Sequence, residues 1–354
     1  MLASKPRGVS PSQRFRVEQW APHLADAHNI HLQFAPFESS ELSELLYRRG
    51  HFTRKAFLTL RDFARRGATV AEARNFDAVV IHREAALIGP AIYERLLAWS
   101  GKPILFDFDD AIWMQQPEHR KLLSPLRFQR KTKTICRLAN MVTAGNEFLA
   151  AYARHYNSEV EMVPTTIELR DYPVVPEPNT QNRFVVCWTG STTTLVHFER
   201  ARGPLECLAK TVPLTVKIIC NKPPERPVAG ADMHFVPWST EGEAQELGDC
   251  HVGIMPLPDN GFTRGKCGLK ALQYMATGRP VVVSPVGVNK DIVQEDQNGY
   301  LAANDEEWVE ALMKLAASPQ LRARLGSAGR KRVERDYSAP VGAAKFASAI
   351  RAIT

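Results

Sequence analysis

The chain has 354 residues, 44% of them hydrophobic, and a formal net charge of +7. That length exceeds the ~100–200 residues of an ordinary domain and predicts two domains, while the modest positive balance suits an anionic small molecule, an acidic membrane surface or nucleic acid without choosing among them. No run approaches the ~18 apolar residues that would cross a bilayer, and residues 1–15 hold no apolar leader stretch, so a cytoplasmic protein is expected.

In chain order, residues 12–26 read as a helix. Residues 1–10 are basic and polar, so the first strand of a Rossmann-type domain is either absent or lies upstream. Short apolar runs at 30–34, 78–82, 104–108, 141–143 and 159–163 then alternate with helical patterns. Residues 48–67 are basic with interleaved Phe52, Phe57, Leu58, Leu60 and Phe63. As a helix this stretch suits the surface of an anionic membrane, or else it is an ordinary domain helix with a solvated basic side. Residues 172–182, with Pro173, Pro176 and Pro178, read as a linker, because proline suits neither a central strand nor a helix interior. The alternation restarts with strands at 184–188, 215–220, 233–235, 252–255 and 281–284. Residues 312–353 are helical by pattern, with breaks at 318–319 and 338–340. Two strand–helix series joined by a linker predict an α/β chain with parallel sheets covered by helices. The six cysteines are scattered and form no C-x-x-C pair, which fits reduced, half-buried thiols.

Residues 265–287 carry the most specific pattern. Gly265 and Gly268 are expected to open a helix running to about Ala276, Gly278 to stop it, and Pro280 to lead into a buried strand. Lys266 and Lys270, four residues apart, would share one face beside the unpaired amides and positive dipole end of that helix. Such a site holds a diphosphate; the alternative is a solvated lysine pair on a helix that merely packs.

This segment, with its run Met275-Ala276-Thr277-Gly278-Arg279-Pro280-Val281-Val282, resembles the donor-binding signature of GT-B glycosyltransferases. The likeness is to the GT4-like group (glycosyl transferases group 1). Residues 249–260 resemble the family's strand and donor loop, and 287–293 and 298–301 its next turn and short strand, so the likeness runs from about 184 to 337. It implies a GT-B fold: two Rossmann-like domains with an interdomain cleft. The domains are expected at 1–175 for the acceptor and 176–335 for the nucleotide-sugar, with 336–354 a terminal helix packing back on the first domain. Many family members carry two glutamates eight residues apart where this chain has Gly265 and Gln273. Gln273 can still hydrogen-bond a donor hydroxyl; Gly265 offers no side chain. Gly190 and Ser191, at the carboxyl end of the strand at 184–188, let backbone and hydroxyl approach phosphate, or Ser191 and Thr192 simply cap the next helix. Lys222 is a further phosphate contact or a solvated loop charge. The turn at Pro237 and Trp238 is where such folds contact the base.

In the first half, Asp107, Asp109 and Asp110 lie at the end of the strand at 104–108. One reading is a D-x-D metal site; another is an acceptor or catalytic site at the sheet's lip; the third is helix capping and backbone bonding. The resemblance favours the cleft, with donor binding that needs no metal and no cofactor, and with Asp109, Asp110 and Lys266 as catalytic residues. Arg14, Arg16, His82, Arg83, Asn146 and Thr165 are further cleft candidates, His82 being equally readable as a satisfied sheet-end histidine. The activity implied is transfer of a sugar from a nucleoside-diphosphate donor to a sugar, lipid-linked or protein acceptor, with retention of configuration. Peripheral contact with the inner membrane face is compatible with this, and nucleic acid is not an expected partner. The alternatives are a sugar-nucleotide epimerase, needing paired acidic and histidine groups, and a non-catalytic nucleotide-sugar-binding protein.

Overall fold

A computed structural model describes residues 1–46, 48, 50–114, 130–179 and 183–354. Residues 180–182 of the expected linker and residue 49 of the basic segment lie outside the described residues. The chain divides into two compact units, Met1–Thr165 with Ala339–Thr354, and Thr166–Ser338.

The first unit is built on six parallel strands: β1 (Leu2–Ala3), β2 (Ala35–Pro36), β3 (Val79–His82), β4 (Ile104–Phe108), β5 (Met141–Ala144) and β6 (Val160–Met162). Their order is β2-β1-β3-β4-β5-β6. The first strand is therefore present, contrary to the reading that it is absent or upstream. Leu2 and Ala3 are its whole length, too short to stand out from a polar leader. The strand expected at 30–34 falls at Ala35–Pro36 instead. Ile30, Leu32 and Phe34 are spent as partly buried packing against the cluster around Trp20 and Phe346. Pro36, which has no N–H to donate, sits on the edge strand where none is needed. The helix expected at 12–26 is interrupted: a π-helical turn at Arg14–Glu18 precedes Trp20–His28. The C-terminal helix Ala339–Arg351 packs on Trp20–His28, with the Trp20 and Phe346 rings 5.1 Å apart.

The second unit repeats the scheme with β7 (Phe184–Thr189), β8 (Leu214–Cys220), β9 (Asp232–Pro237), β10 (Val252–Met255), β11 (Val281–Val283) and β12 (Gly299–Leu301). All pairings are parallel and the order is β12-β11-β10-β7-β8-β9. That is the strand order of a dinucleotide-binding Rossmann sheet, and it reverses direction between β7 and β10. β7 and β10 lie fully buried and read as unbroken apolar runs, as strands covered on both faces must.

The boundary falls at 165/166, not at 175/176. The proline-rich stretch is bound into the second unit by three arginines. Arg279 donates to the Val175 carbonyl at 2.8 Å and the Pro176 carbonyl at 2.6 Å, Arg322 pairs with Glu177, and Arg330 donates to the Tyr172 carbonyl. Among the described residues, no helix is long and apolar enough to cross a membrane.

Candidate functional site

Ligands of open parallel sheets gather beyond the carboxyl ends of the strands, where the strand order reverses. In the second unit that point is Gly190, directly after β7. A Cβ built on Gly190 would sit 2.6 Å from the Thr194 hydroxyl, 2.6 Å from the Trp188 ring and 2.8 Å from the Lys270 ammonium, so only glycine lets these groups converge. Lys270 is carried by the helix Leu269–Ala276, which is seated by Tyr274. The Tyr274 ring lies over Gly253 of β10, and its hydroxyl donates to the Cys187 carbonyl at 3.0 Å.

The Lys270 Nζ stands 4.4 Å above the Trp188 ring and 3.5 Å from Thr194 Oγ1. Burial and then the neighbouring Lys266 ammonium lower Lys270 from 10.5 to about 7. Burial, with the charges of Lys270, Lys266 and Arg200, lowers His197 to about 4, so its ring is neutral at pH 7. The cations near one another here thus raise each other's electrostatic cost, a condition that an anion would relieve.

Lys266 reaches this region differently from the expectation. The helix begins at Leu269, with Gly268 left-handed (φ +69°) at its N-cap and no side chain capping it. Lys266 therefore precedes the helix and shares no helical face with Lys270; it follows the short helix Gly261–Arg264, its Nζ 4.4 Å above the Phe262 ring. Gly265 ends that short helix rather than opening the next one. Gly278, at φ +79°, follows the helix end as expected.

Of the other candidates in this unit, Ser191 is exposed and bonded within its own loop to Thr193 and Thr194. Lys222 is 56% exposed, 3.8 Å from Glu225, which is the solvated-loop geometry. Gln273 is buried and donates to the Tyr172 hydroxyl at 2.9 Å. That hydroxyl donates to Glu243 at 2.6 Å, and Trp238 Nε1 donates to the other Glu243 oxygen at 2.8 Å. The amide is thus part of a buried chain leading to the Trp238 turn.

The first unit reverses strand order between β1 and β3, and its polar cluster lies at the carboxyl ends of β3 and β4. Asp107 is fully buried. It accepts from Arg16 (Nε at 3.0 Å, Nη2 at 2.5 Å) and from Thr143 at 2.7 Å, and lies 2.8 Å from His82 Nδ1. Burial opposes its ionisation, but the Arg16 guanidinium and the His82 contact outweigh burial and hold it well below the usual carboxylate range. Asp109 accepts from Ser12 Oγ at 2.6 Å and from Arg83 at 2.8 and 2.9 Å. Against its own burial, the Arg83, His82 and Arg16 charges lower it to about 2. His82 Nε2 lies 2.9 Å from the same Ser12 oxygen, so Ser12 ties the two carboxylates together through His82. With a guanidinium engaging each carboxylate, the D-x-D metal reading does not fit the donor set. Asp110 is 3.7 Å from Arg83. Arg83 is a non-glycine residue at φ +63°, a strained backbone of the kind found at binding sites, and its side chain stays 29% exposed.

Arg14 is half-buried over the Phe15 ring, and Arg16 reaches the cluster. Asn146 caps the helix Glu147–Arg154 by accepting from the Leu149 amide, and Thr165 is buried. Sequence reasoning did not single out Ser12, Thr143, Trp188, Thr194 or His197, although Ser12, Thr143, Trp188 and Thr194 lie in the segments 10–16, 143–149 and 187–194 that resemble parts of the family's site.

Residues 206–318 match the family model "Glycosyl transferases group 1". The chain is 32% identical over 68 residues to spore coat protein SA of Bacillus subtilis (strain 168); the match spans 18% of each protein. Among solved structures, it is similar to a glycosyltransferase from Rickettsia africae ESF-5, with a TM-score of 0.67 and 12% identity over 99% of this chain and 97% of that one. It is also similar to Anabaena HepE in complex with UDP, with a TM-score of 0.57 and 14% identity over 94% and 89%. At such identities the structural likeness establishes the fold. Residues 206–318 of the second unit thus match the glycosyl transferases group 1 model, and the chain has the GT-B fold.

Proposed function

We propose that this chain moves a sugar from a nucleoside-diphosphate donor, held by the second unit, to a hydroxyl-bearing acceptor, without metal and with retention of configuration. The observation that carries the reading is the buried Lys270 ammonium lodged between Trp188, Gly190 and Thr194, its charge disfavoured by burial and by the Lys266 ammonium. The bond from the sugar's anomeric carbon to the diphosphate breaks, and a bond from that carbon to the acceptor oxygen forms. The acceptor's proton leaves with the diphosphate. Lys270, Lys266, the Thr194 hydroxyl and the amides opening Leu269–Ala276 stabilise the charge growing on that leaving group, the task a divalent cation performs in other transferases. The Anabaena HepE structure holds UDP, which supports a uridine donor as the first to try. Asp109, Asp110 and Arg83 are assigned to the acceptor and its reacting hydroxyl; Asp107 and His82 position Asp109 through Ser12. Retention rests on the family resemblance. An epimerase finds its acidic and histidine groups in Asp107 and His82, but every Asp107 oxygen is saturated and fully buried, which disfavours it as a proton-abstracting base.

Calorimetric titration with UDP is the test. The wild-type protein is expected to bind, and Lys270→Ala to weaken binding about tenfold or more, the scale of a charge-assisted phosphate contact. Unchanged affinity in a Lys266→Ala/Lys270→Ala double variant overturns the assignment.

A further inference from the structure

Two neighbouring helices of the first unit leave large apolar side chains in solvent. On Phe52–Glu72 the buried face holds Leu58, Asp62, Arg66 and Val70. Phe57 is 66% exposed and Leu60 70% exposed on the opposite side, with Ala56, Ala64 and Ala68 exposed between them. On Ile92–Trp99, Ile92, Leu96 and Trp99 recur at helical spacing along one exposed edge, and Trp99 is 87% exposed. The helices are joined by the stacked Phe63 and Tyr93 rings, 6.0 Å apart, and by a 2.6 Å bond from the Tyr93 hydroxyl to the Phe63 carbonyl. A soluble surface scatters single apolar residues; a stripe on each of two packed helices is a different pattern.

The charge beside the stripes selects the occupant. Residues 48–67 contain seven arginines and lysines and one acidic residue, Asp62, which is buried. Arg54, Arg61 and Arg65 line one flank of the Phe57 and Leu60 stripe, their side chains 61%, 43% and 45% exposed. Glu41 holds Arg54 and Arg61 in place at 2.6 and 3.1 Å and offsets part of their charge. Arg95 is exposed beside Ile92 and Leu96. An exposed tryptophan, exposed phenylalanines and a basic edge are the composition of a helix that lies in the headgroup layer of an anionic bilayer.

We propose that the helices Phe52–Glu72 and Ile92–Trp99 form the surface by which this protein docks on an anionic lipid bilayer. The docking surface stands on these residues alone; its consequence, that the acceptor is presented at a lipid surface, rests on the transferase reading.

Co-sedimentation of the full chain with vesicles tests it. The expected result is binding to vesicles of phosphatidylcholine with phosphatidylglycerol, little binding to phosphatidylcholine alone, and release by added salt. Phe57→Ser/Leu60→Ser and Trp99→Ala, all at exposed positions, are expected to lower vesicle partition about tenfold and severalfold respectively. UDP titration of the same variants is the fold control and separates the two readings: retained UDP affinity with lost vesicle binding supports docking, whereas lost UDP binding in wild-type protein concerns the donor site alone. No binding of wild-type protein to anionic vesicles, or equal binding by Phe57→Ser/Leu60→Ser, overturns the proposal. So does lipid-free sedimentation showing a dimer that those substitutions dissolve, since the stripe is then a face between copies of the chain.

Discussion

Lys270 illustrates how a single residue records the ligand its surroundings were built for. An ordinary lysine titrates near 10.5, and this one is lowered to about 7 by burial and by Lys266. The negative charge of a bound diphosphate would outweigh both effects and raise it again, so binding takes up a proton wherever free Lys270 is neutral. The sign follows directly. Below pH 7 the free protein is already protonated and UDP affinity is level; above pH 7 affinity falls, by at most about tenfold per pH unit, until the pH passes the raised value of the bound state. Titrations from pH 6 to about 9 in wild-type and Lys270→Arg proteins measure this, the arginine variant being expected to flatten the slope because guanidinium stays charged throughout. The lysine pair was visible in the amino-acid sequence; the altered titration was not, because burial, its largest cause, depends on Trp188, Gly190 and Thr194, which lie far from Lys270 in the chain.

At the scale of elements, the donor region depends on how closely a strand end and a helix approach. Gly190 permits that approach at β7, and Gly253 permits it beneath Tyr274. A methyl at Gly190 would overlap Thr194, Trp188 and Lys270 together. Gly190→Ala is therefore expected to lower UDP affinity about tenfold and to cost ~1–3 kcal/mol of stability, the usual penalty of overpacking; titration and chemical denaturation read the two effects. The sequence pattern located nearly every strand of the second unit within one or two residues because β7, β8, β10 and β11 are buried apolar runs bounded by turn residues. It failed at β1 and β2, two residues each, where pairing to neighbours and not local propensity creates the strand. The helix boundary at Leu269 was missed for a related reason: Gly265 and Gly268 both permit a turn, and only the packing of Gly268 against Ile292 fixes which one begins the helix.

At the scale of the whole molecule, the first unit is discontinuous. It closes with Ala339–Thr354, whose Phe346 fills the cluster of Trp20 and Leu24. Truncation after residue 338 is expected to destabilise the first unit by several kcal/mol, given ~1.5–3 kcal/mol for each large buried apolar side chain removed. It should leave UDP affinity in the second unit close to the full-length value; a two-transition melting curve losing only one transition is the measurement. By itself the amino-acid sequence determined the α/β class, two repeats of a parallel sheet, and the lysine-bearing loop and helix of the second half, because hydrophobic periodicity and glycine spacing are local properties. Only the tertiary structure decided where the units divide, that Arg16, His82, Thr143 and Ser12 converge on Asp107 and Asp109, and that Gln273 turns inward to Tyr172. Those outcomes are contacts between residues up to about a hundred positions apart, and no window of sequence contains the partner that satisfies a buried charge.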